Sequence, residues 1–167
     1  MELLVVRHAI AVDADEFAST GQSDDLRPLT PEGATRMRAV ARGLRSIVPG
    51  VERIATSPLT RAMQTAAILA DEYDLEPVST DSLRPEARYE SLLRWWSSKP
   101  GTSVMAIVGH EPHLSGLVSW LLAGSDSPFI ELKKGAACLL EFESTPSVAK
   151  GTLLWSLAPA HLRRLGD

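Results

Sequence analysis

The sequence has little cysteine, and its one thiol has no possible partner within the chain. The 167 residues include a single cysteine, Cys138, which excludes an internal disulfide and a cysteine-based zinc site. A lone thiol is typical of a reducing compartment. Because Cys138 lies in the apolar run of residues 136–140, we expect it to be a core residue rather than a nucleophile.

Long apolar runs and excess positive charge are also missing. No stretch approaches the roughly 20 apolar residues of a membrane-spanning helix, and the N-terminus does not resemble a signal peptide. The net charge of −4 argues against a broad nucleic-acid surface. We therefore expect a cytoplasmic protein with neither a membrane nor a nucleic-acid partner. The length and the 44% hydrophobic content predict one globular domain spanning residues 1–167.

Short apolar runs alternate with stretches of helical spacing. The runs predict strands at residues 3–6, 51–56, 78–79 and 104–108, followed by a strand pair at 136–142 and 152–157. The helical spacing predicts helices at 31–48, 59–73, 89–98 and 113–123, with residues 9–29 as a loop. This alternation favours an α/β fold with three layers, α/β/α, and a mostly parallel open sheet with an antiparallel edge strand.

Two of the predicted helices share a start signal. Thr30 and Ser57 are each followed by proline, the pattern of a capping side chain before the first helical residue.

Polar clusters follow three of the predicted strands. Arg7 and His8 follow the first, Ser57 and Arg61 follow the second, and His110 follows the fourth. The carboxyl ends of parallel strands meet at one edge of a sheet, so these residues should lie close together. Arginine side chains and helix N-termini both favour phosphate oxygens. The pattern therefore predicts an anion site suited to phosphate.

Two histidines in such a site allow a division of labour. A neutral imidazole can attack phosphorus, while a second one and the arginines bind the phosphoryl oxygens. No metal or other cofactor is then required, and His110 and His113 do not have the spacing of a zinc-binding helix. The alternatives are a structural histidine after a strand and a solvated Arg61. We interpret His113 and His161 as surface or capping residues.

Four segments together resemble the histidine phosphatase superfamily, also called phosphoglycerate mutase-like, in the family's order. They are Val-Val-Arg-His-Ala at 5–9, Arg-Pro-Leu-Thr-Pro-Glu-Gly at 27–33, Ser-Pro-Leu-Thr-Arg-Ala-Met-Gln-Thr-Ala at 57–66 and Val-Gly-His-Glu-Pro at 108–112. The short length and the ending at 151–159 resemble the bacterial phosphohistidine phosphatase branch, SixA. The resemblance runs from about residue 2 to 160.

The resemblance implies a role for individual residues. His8 matches the nucleophile that becomes phosphohistidine, and Arg7 and Arg61 match phosphate-binding arginines. His110 matches the second histidine, which binds phosphate and steadies the transferring group. Arg27 matches an accessory phosphate ligand.

Two positions depart from the family pattern. Ala9 replaces the usual glycine, which would be unfavourable if the backbone there had a positive φ. The family's general acid is a glutamate, for which Glu86 is the nearest candidate. The alternative for Glu86 is a solvated loop residue.

The function implied is a metal-independent phosphatase acting on protein phosphohistidine, with a signalling or phosphotransfer protein as partner. Imidazole leaves phosphorus more easily than an alkoxide does, which makes a weak general acid tolerable. A short chain without a lid would also admit a histidine on a protein surface. The alternatives are a phosphatase of small phosphate esters, a phosphoglycerate mutase, which the short chain disfavours, and a non-catalytic phosphoprotein-binding module.

Overall fold

A computed structural model describes residues 1–99, 101–125 and 127–166. Within them, six strands form one sheet in the order β3-β2-β4-β1-β5-β6. The strands are β1 (Glu2–Arg7), β2 (Arg53–Thr56), β3 (Val78–Ser79), β4 (Val104–Gly109), β5 (Ala137–Glu141) and β6 (Thr152–Leu157). The helices are α1 (Ala14–Ala18), α2 (Pro31–Ile47), α3 (Thr60–Tyr73), α4 (Tyr89–Ser97), α5 (His113–Ala123) and α6 (Pro159–Leu165).

Strand direction confirms the predicted mixed sheet. Strands β1 to β4 pair in parallel, whereas β5 runs antiparallel to β1 and to the edge strand β6. As a result, the start of β5 lies at the same edge of the sheet as the carboxyl ends of the parallel strands. Residues just before β5 can therefore reach any site built at those ends.

The side chains of β1 alternate between two cores, which confirms the three layers. Leu4 and Val6 pack with α2, α3 and α6 on one face of the sheet. Leu3 and Val5 pack with α4 and α5 on the other face. Cys138 is fully buried in the second core, as predicted.

Helix α2 begins as the sequence predicts. Thr30 Oγ1 accepts a hydrogen bond from the Gly33 N–H at 2.9 Å, and Pro31 is the first helical residue. A Cβ on Gly33 would overlap the Ile10 carbonyl oxygen. Glycine at this position therefore lets the chain after β1 lie directly on the first turn of α2.

Three predictions of local structure are wrong or incomplete. Helix α3 begins at Thr60 with Leu59, not Ser57, at the cap position and without a side-chain cap; the Ser57 hydroxyl accepts from the Leu59 N–H at 3.4 Å and lies 2.9 Å from His110 Nε2. The segment 9–29 is not all loop, since it contains α1 and a 3₁₀ turn, Asp24–Leu26. Helix α6 was not predicted, although Pro159 stands at its first position. No helix in the described part of the chain is long and apolar enough to cross a membrane.

Candidate active site

The ends of three neighbouring strands bring the motif residues to one edge of the sheet. Arg7, the last residue of β1, pairs in register with Gly109, the last residue of β4. Thr56, the last residue of β2, pairs with Val108 of β4. The next residue along each strand is therefore a site residue. The His8 N–H donates to the Gly109 carbonyl at 3.0 Å, which fixes the backbone of His8 against β4.

His8 is held as a neutral imidazole with one free lone pair. Its Nδ1 lies 2.7 Å from the Ala9 carbonyl oxygen, which can only accept, so Nδ1 carries the proton and Nε2 does not. The side chain is almost fully buried. This burial lowers the pKa of His8 to about 4, and the positive charges of Arg61, Arg7 and Lys134 act in the same direction. Nε2 is therefore available as a nucleophile at neutral pH.

His110 lies beside His8 and is also neutral. The two ring centroids are 5.1 Å apart. His110 Nε2 is 2.9 Å from Ser57 Oγ, while its buried Nδ1 has no hydrogen-bond partner among the described residues. Burial, followed by the charges of His8 and Arg61, lowers the pKa of His110 to about 3, against the opposing charge of Asp24. A neutral imidazole in this place can donate one hydrogen bond to an oxyanion.

Three arginines surround the histidines, and Asp24 links two of them. Arg61 Nη1 donates to the Asp24 carbonyl at 2.9 Å, and Arg61 Nη2 lies 3.1 Å from the Asp24 carboxylate. The same carboxylate is 2.6 Å from Arg27 Nε. Arg7 is anchored separately, by a 2.6 Å bond from Nη1 to the Leu132 carbonyl. The Nε atoms of Arg7 and Arg61 are buried and lack an acceptor in the described part of the chain.

The chain after His8 is fastened to α3. The Ala9 N–H donates to Thr65 Oγ1 at 3.0 Å, and the Thr65 hydroxyl donates to the Arg61 carbonyl at 2.7 Å. Ala9 is not among the residues with positive φ. Alanine in place of the family's glycine therefore causes no backbone strain here.

A cavity of about 410 Å³ joins five of the six residues predicted from the sequence. They are Arg7, His8, Arg27, Arg61 and His110. The other lining residues are Val12, Asp13, Ala14, Pro85, Glu111 and Lys134. Buried neutral imidazoles and several guanidinium groups around one cavity suit an oxyanion with oxygens on several sides.

Glu86, the sixth predicted residue, lies outside this cavity. Its neighbour Pro85 lines the cavity of His8, whereas Glu86 is exposed and lines an adjoining cavity of about 690 Å³ with Arg88 and His113. Its role as general acid stays a prediction.

His113 was predicted to be a surface or capping residue, but it is buried and does not cap α5, whose cap position is Pro112. It is buried at the first position of α5, and its Nε2 is 3.0 Å from the Ala87 carbonyl oxygen. Its ring also packs against Tyr89, with centroids 5.2 Å apart. His113 therefore ties the segment before α4 to the helix that follows His110.

Sequence reasoning missed the roles of four residues around the site. Ser57 was expected at this edge of the sheet but was given only the role of a helix cap, whereas its hydroxyl is 2.9 Å from His110 Nε2. Asp24, Glu111 and Lys134 were not singled out, although Glu111 adjoins His110 and Asp24 lies three residues before Arg27. One oxygen of Glu111 accepts from the Ser115 hydroxyl, which anchors its carboxylate to α5.

Metal ligation was not predicted for this chain. Within residues 1–99, 101–125 and 127–166, no group of three or more histidine, cysteine, aspartate or glutamate side chains could hold a metal ion.

Comparisons with known proteins give a family match and two relatives that each cover most of the chain. The model of the histidine phosphatase superfamily (branch 1) matches residues 3–86. An uncharacterized protein from Picosynechococcus sp. is 37% identical over 138 residues, which cover 80% of this chain and 81% of the relative. Phosphohistidine phosphatase SixA from Escherichia coli is 28% identical over 98% of this chain and 97% of its own length.

A solved structure shares the fold over nearly the whole chain. The protein histidine phosphatase SixA complexed with tungstate superposes with a TM-score of 0.81 and 25% identity. The match covers 97% of this chain and 99% of the SixA chain.

Proposed function

Because the chain belongs to the histidine phosphatase superfamily, we propose that it is a metal-independent phosphatase that acts through phosphohistidine at His8. The observation that carries the proposal is the state of His8. Its Nδ1–H donates a hydrogen bond to the Ala9 carbonyl, and its side chain lines one cavity with Arg7, Arg61 and His110. A buried, neutral imidazole surrounded by cationic donors is suited to nucleophilic attack on a phosphoryl group.

In the first step, the lone pair of His8 Nε2 forms a bond to phosphorus. The bond between phosphorus and the leaving atom of the substrate breaks, and the leaving group departs with that electron pair and takes up a proton. The negative charge shifts among the phosphoryl oxygens during this step. Arg7, Arg61 and His110 bind these oxygens in the proposed mechanism, and Arg27 is an accessory ligand.

In the second step, water attacks the phosphorus of phospho-His8. The P–N bond breaks, its electron pair returns to Nε2, and a water proton passes to solvent or to a base. Inorganic phosphate leaves and His8 is again neutral. Glu86 is the candidate base and the candidate acid of the first step. Because Glu86 lies in the adjoining cavity, that assignment depends on a substrate or a water chain that reaches past Pro85.

The proposed substrate is phosphohistidine on a signalling or phosphotransfer protein in the cytoplasm. The name of the Escherichia coli relative, which matches nearly the whole chain, supports this substrate class. The solved SixA structure is a complex with tungstate, which supports an oxyanion as a ligand. The chemistry supports it too, because imidazole, with a pKa of about 6.5, leaves phosphorus without a strong acid beside it.

The proposal is tested by phosphate release from two substrates measured side by side. A phosphohistidine-bearing protein and p-nitrophenyl phosphate are each incubated with the enzyme in the presence of EDTA, with His8→Ala as control. We expect fast release from the phosphoprotein, slower release from the ester and a loss of about 10⁴-fold or more in the variant.

Other outcomes would change the assignment. Faster turnover of the ester would make the protein a phosphatase of small phosphate esters. Phosphate binding without turnover of either substrate would contradict the catalytic proposal and favour a phosphoprotein-binding module.

A further inference from the structure

A turn outside the four motifs is fastened to the backbone of the proposed nucleophile. The Ala136 N–H donates to the Lys133 carbonyl at 2.7 Å, and Gly135 has a φ of 77°, which closes a tight turn over residues 133–136. The Gly135 N–H lies 3.2 Å from the Arg7 carbonyl and 3.1 Å from the His8 carbonyl. The turn is therefore placed against the end of β1.

The direction of β5 explains why this turn reaches the site. In an all-parallel sheet, the residues before a strand lie at the opposite edge from the carboxyl ends. Here β5 is antiparallel to β1, so the residues that precede it lie beside His8. The Arg7 N–H donates to the Ala136 carbonyl at 3.0 Å, which extends the pairing of the two strands to this point.

The turn carries a lysine that lines the cavity of the site. Lys134 shares that cavity with Arg7, His8 and Arg61. Its positive charge is the smallest of the influences on the pKa of His8, which it lowers. Among the described residues it has no ion pair or hydrogen bond of its own, whereas Arg27 and Arg61 share the Asp24 carboxylate. Lys134 is thus a cation of the cavity whose charge no carboxylate offsets at close range.

We propose that Lys134 is a specificity-determining residue that donates a charge-assisted hydrogen bond to a phosphoryl oxygen bound beside His8. This inference rests on the proposed function, since it assigns one more ligand to the same phosphoryl group. The turn that carries the lysine precedes β5, whereas Arg61 lies on α3, which follows β2; β5 and β2 are on opposite sides of β1 in the sheet. Its contribution favours the dianionic form of a phosphoryl group over singly charged oxyanions.

The test uses inorganic phosphate as the probe and a neighbouring lysine as the matched control. Lys133 is exposed, adjacent in sequence and not part of the cavity lining. Isothermal titration calorimetry measures the affinity of the parent protein for phosphate and that of three variants, Lys134→Met, Lys133→Met and Lys134→Arg. Because Lys134 is exposed, we expect Lys134→Met to weaken binding about three- to tenfold. Lys133→Met should match the parent, and Lys134→Arg should restore most of the affinity.

Kinetics with a phosphohistidine substrate separate this role from a purely structural one. A ligand lost equally from the ground and transition states raises KM and leaves kcat nearly unchanged. We expect that pattern for Lys134→Met, with a KM increase similar to the loss of phosphate affinity. Unchanged phosphate affinity in an active Lys134→Met enzyme would overturn the inference and leave the proposed function intact. Failure of the parent protein to bind phosphate would overturn both.

Discussion

The floor and the rim of the cavity are built in different ways. The floor consists of Arg7, His8, Arg61 and His110, which lie at the ends of strands or at the start of a helix and are mostly buried. What we call the rim consists of Lys134, which lines the cavity, together with Asp24 and Glu86, which lie beside it; all three are on exposed turns between elements. Backbone hydrogen bonds between neighbouring strands hold the floor residues in place, whereas the rim residues are held by a few side-chain contacts. We infer that the floor sets the chemistry and the rim adjusts affinity and substrate choice.

The strongest test of this division is removal of the second histidine of the floor. We expect His110→Ala to lower kcat on phosphohistidine about 10²- to 10³-fold, because a donor to the transferring group is lost. Ser57→Ala, which removes only the hydroxyl that orients His110, should cause a smaller loss. Steady-state kinetics of both variants measure the effect. Similar losses in the two variants would mean that the whole contribution of His110 depends on its bond to Ser57, whereas no loss in His110→Ala would contradict its role as a donor.

Titration of the floor gives the next largest effect. NMR of the ring nitrogens should show His8 and His110 titrating near pH 4 and pH 3, because burial lowers both pKa values. The unfolded chain, with histidine pKa values of about 6.5, then binds protons more readily than the folded protein. The two histidines therefore cost no stability above about pH 6.5, and the free energy of unfolding falls as the pH drops towards 4 for His8 and towards 3 for His110.

Adding phosphate provides the control for this titration. A bound dianion should raise both histidine pKa values, because a nearby negative charge favours the imidazolium form. Titration of His8 near pH 6.5 without phosphate would contradict the buried, neutral nucleophile.

A few-fold effect is expected from Asp24 on the rim. Its carboxylate shares Arg27 and Arg61, so Asp24→Asn should free part of their charge and tighten phosphate binding about two- to fivefold. Asp25→Asn is the matched control, because Asp25 pairs instead with Arg84. Competitive inhibition by phosphate measures both variants. Weaker binding in Asp24→Asn would show that Asp24 positions the arginines more than it competes for them.

Glu86 should give the smallest effect on the proposed substrate. We expect Glu86→Gln to lower turnover of phosphohistidine by no more than about twofold to threefold but turnover of an alkyl phosphate about 10²-fold, since both substrates lose the candidate base but only the alkoxide also loses a required proton donor. The ratio of kcat/KM on the two substrates is the readout. Equal losses on both would remove the argument from leaving groups.

The same division separates what the sequence predicts from what it does not. The floor follows from local patterns, because an apolar run ending in Arg7-His8 and another ending in Gly109-His110 place these residues at one edge of a parallel sheet. The fold class follows from the alternation of short apolar runs with stretches of helical spacing. The two cores that share the side chains of β1 confirm it.

Other parts of the site depend on contacts between residues far apart in the sequence. The Ser57 hydroxyl binds a histidine 53 residues away, and local patterning instead favours a helix cap there. Lys134 reaches the site only because β5 is antiparallel to β1. The residues next to a turn in the sequence do not predict which edge of the sheet the turn lies on. The position of Glu86 likewise depends on how Pro85 and the segment tied by His113 pack.

Direct detection of phospho-His8 tests the central claim most directly. The enzyme is mixed with a small phosphoramidate donor, quenched within milliseconds under alkaline conditions that preserve phosphohistidine, digested and analysed by mass spectrometry. We predict one added phosphoryl group on the peptide containing His8 and none in His8→Ala or at His110. An active enzyme that carries its phosphoryl group on another residue, or turns over without any phosphoenzyme, would contradict this account.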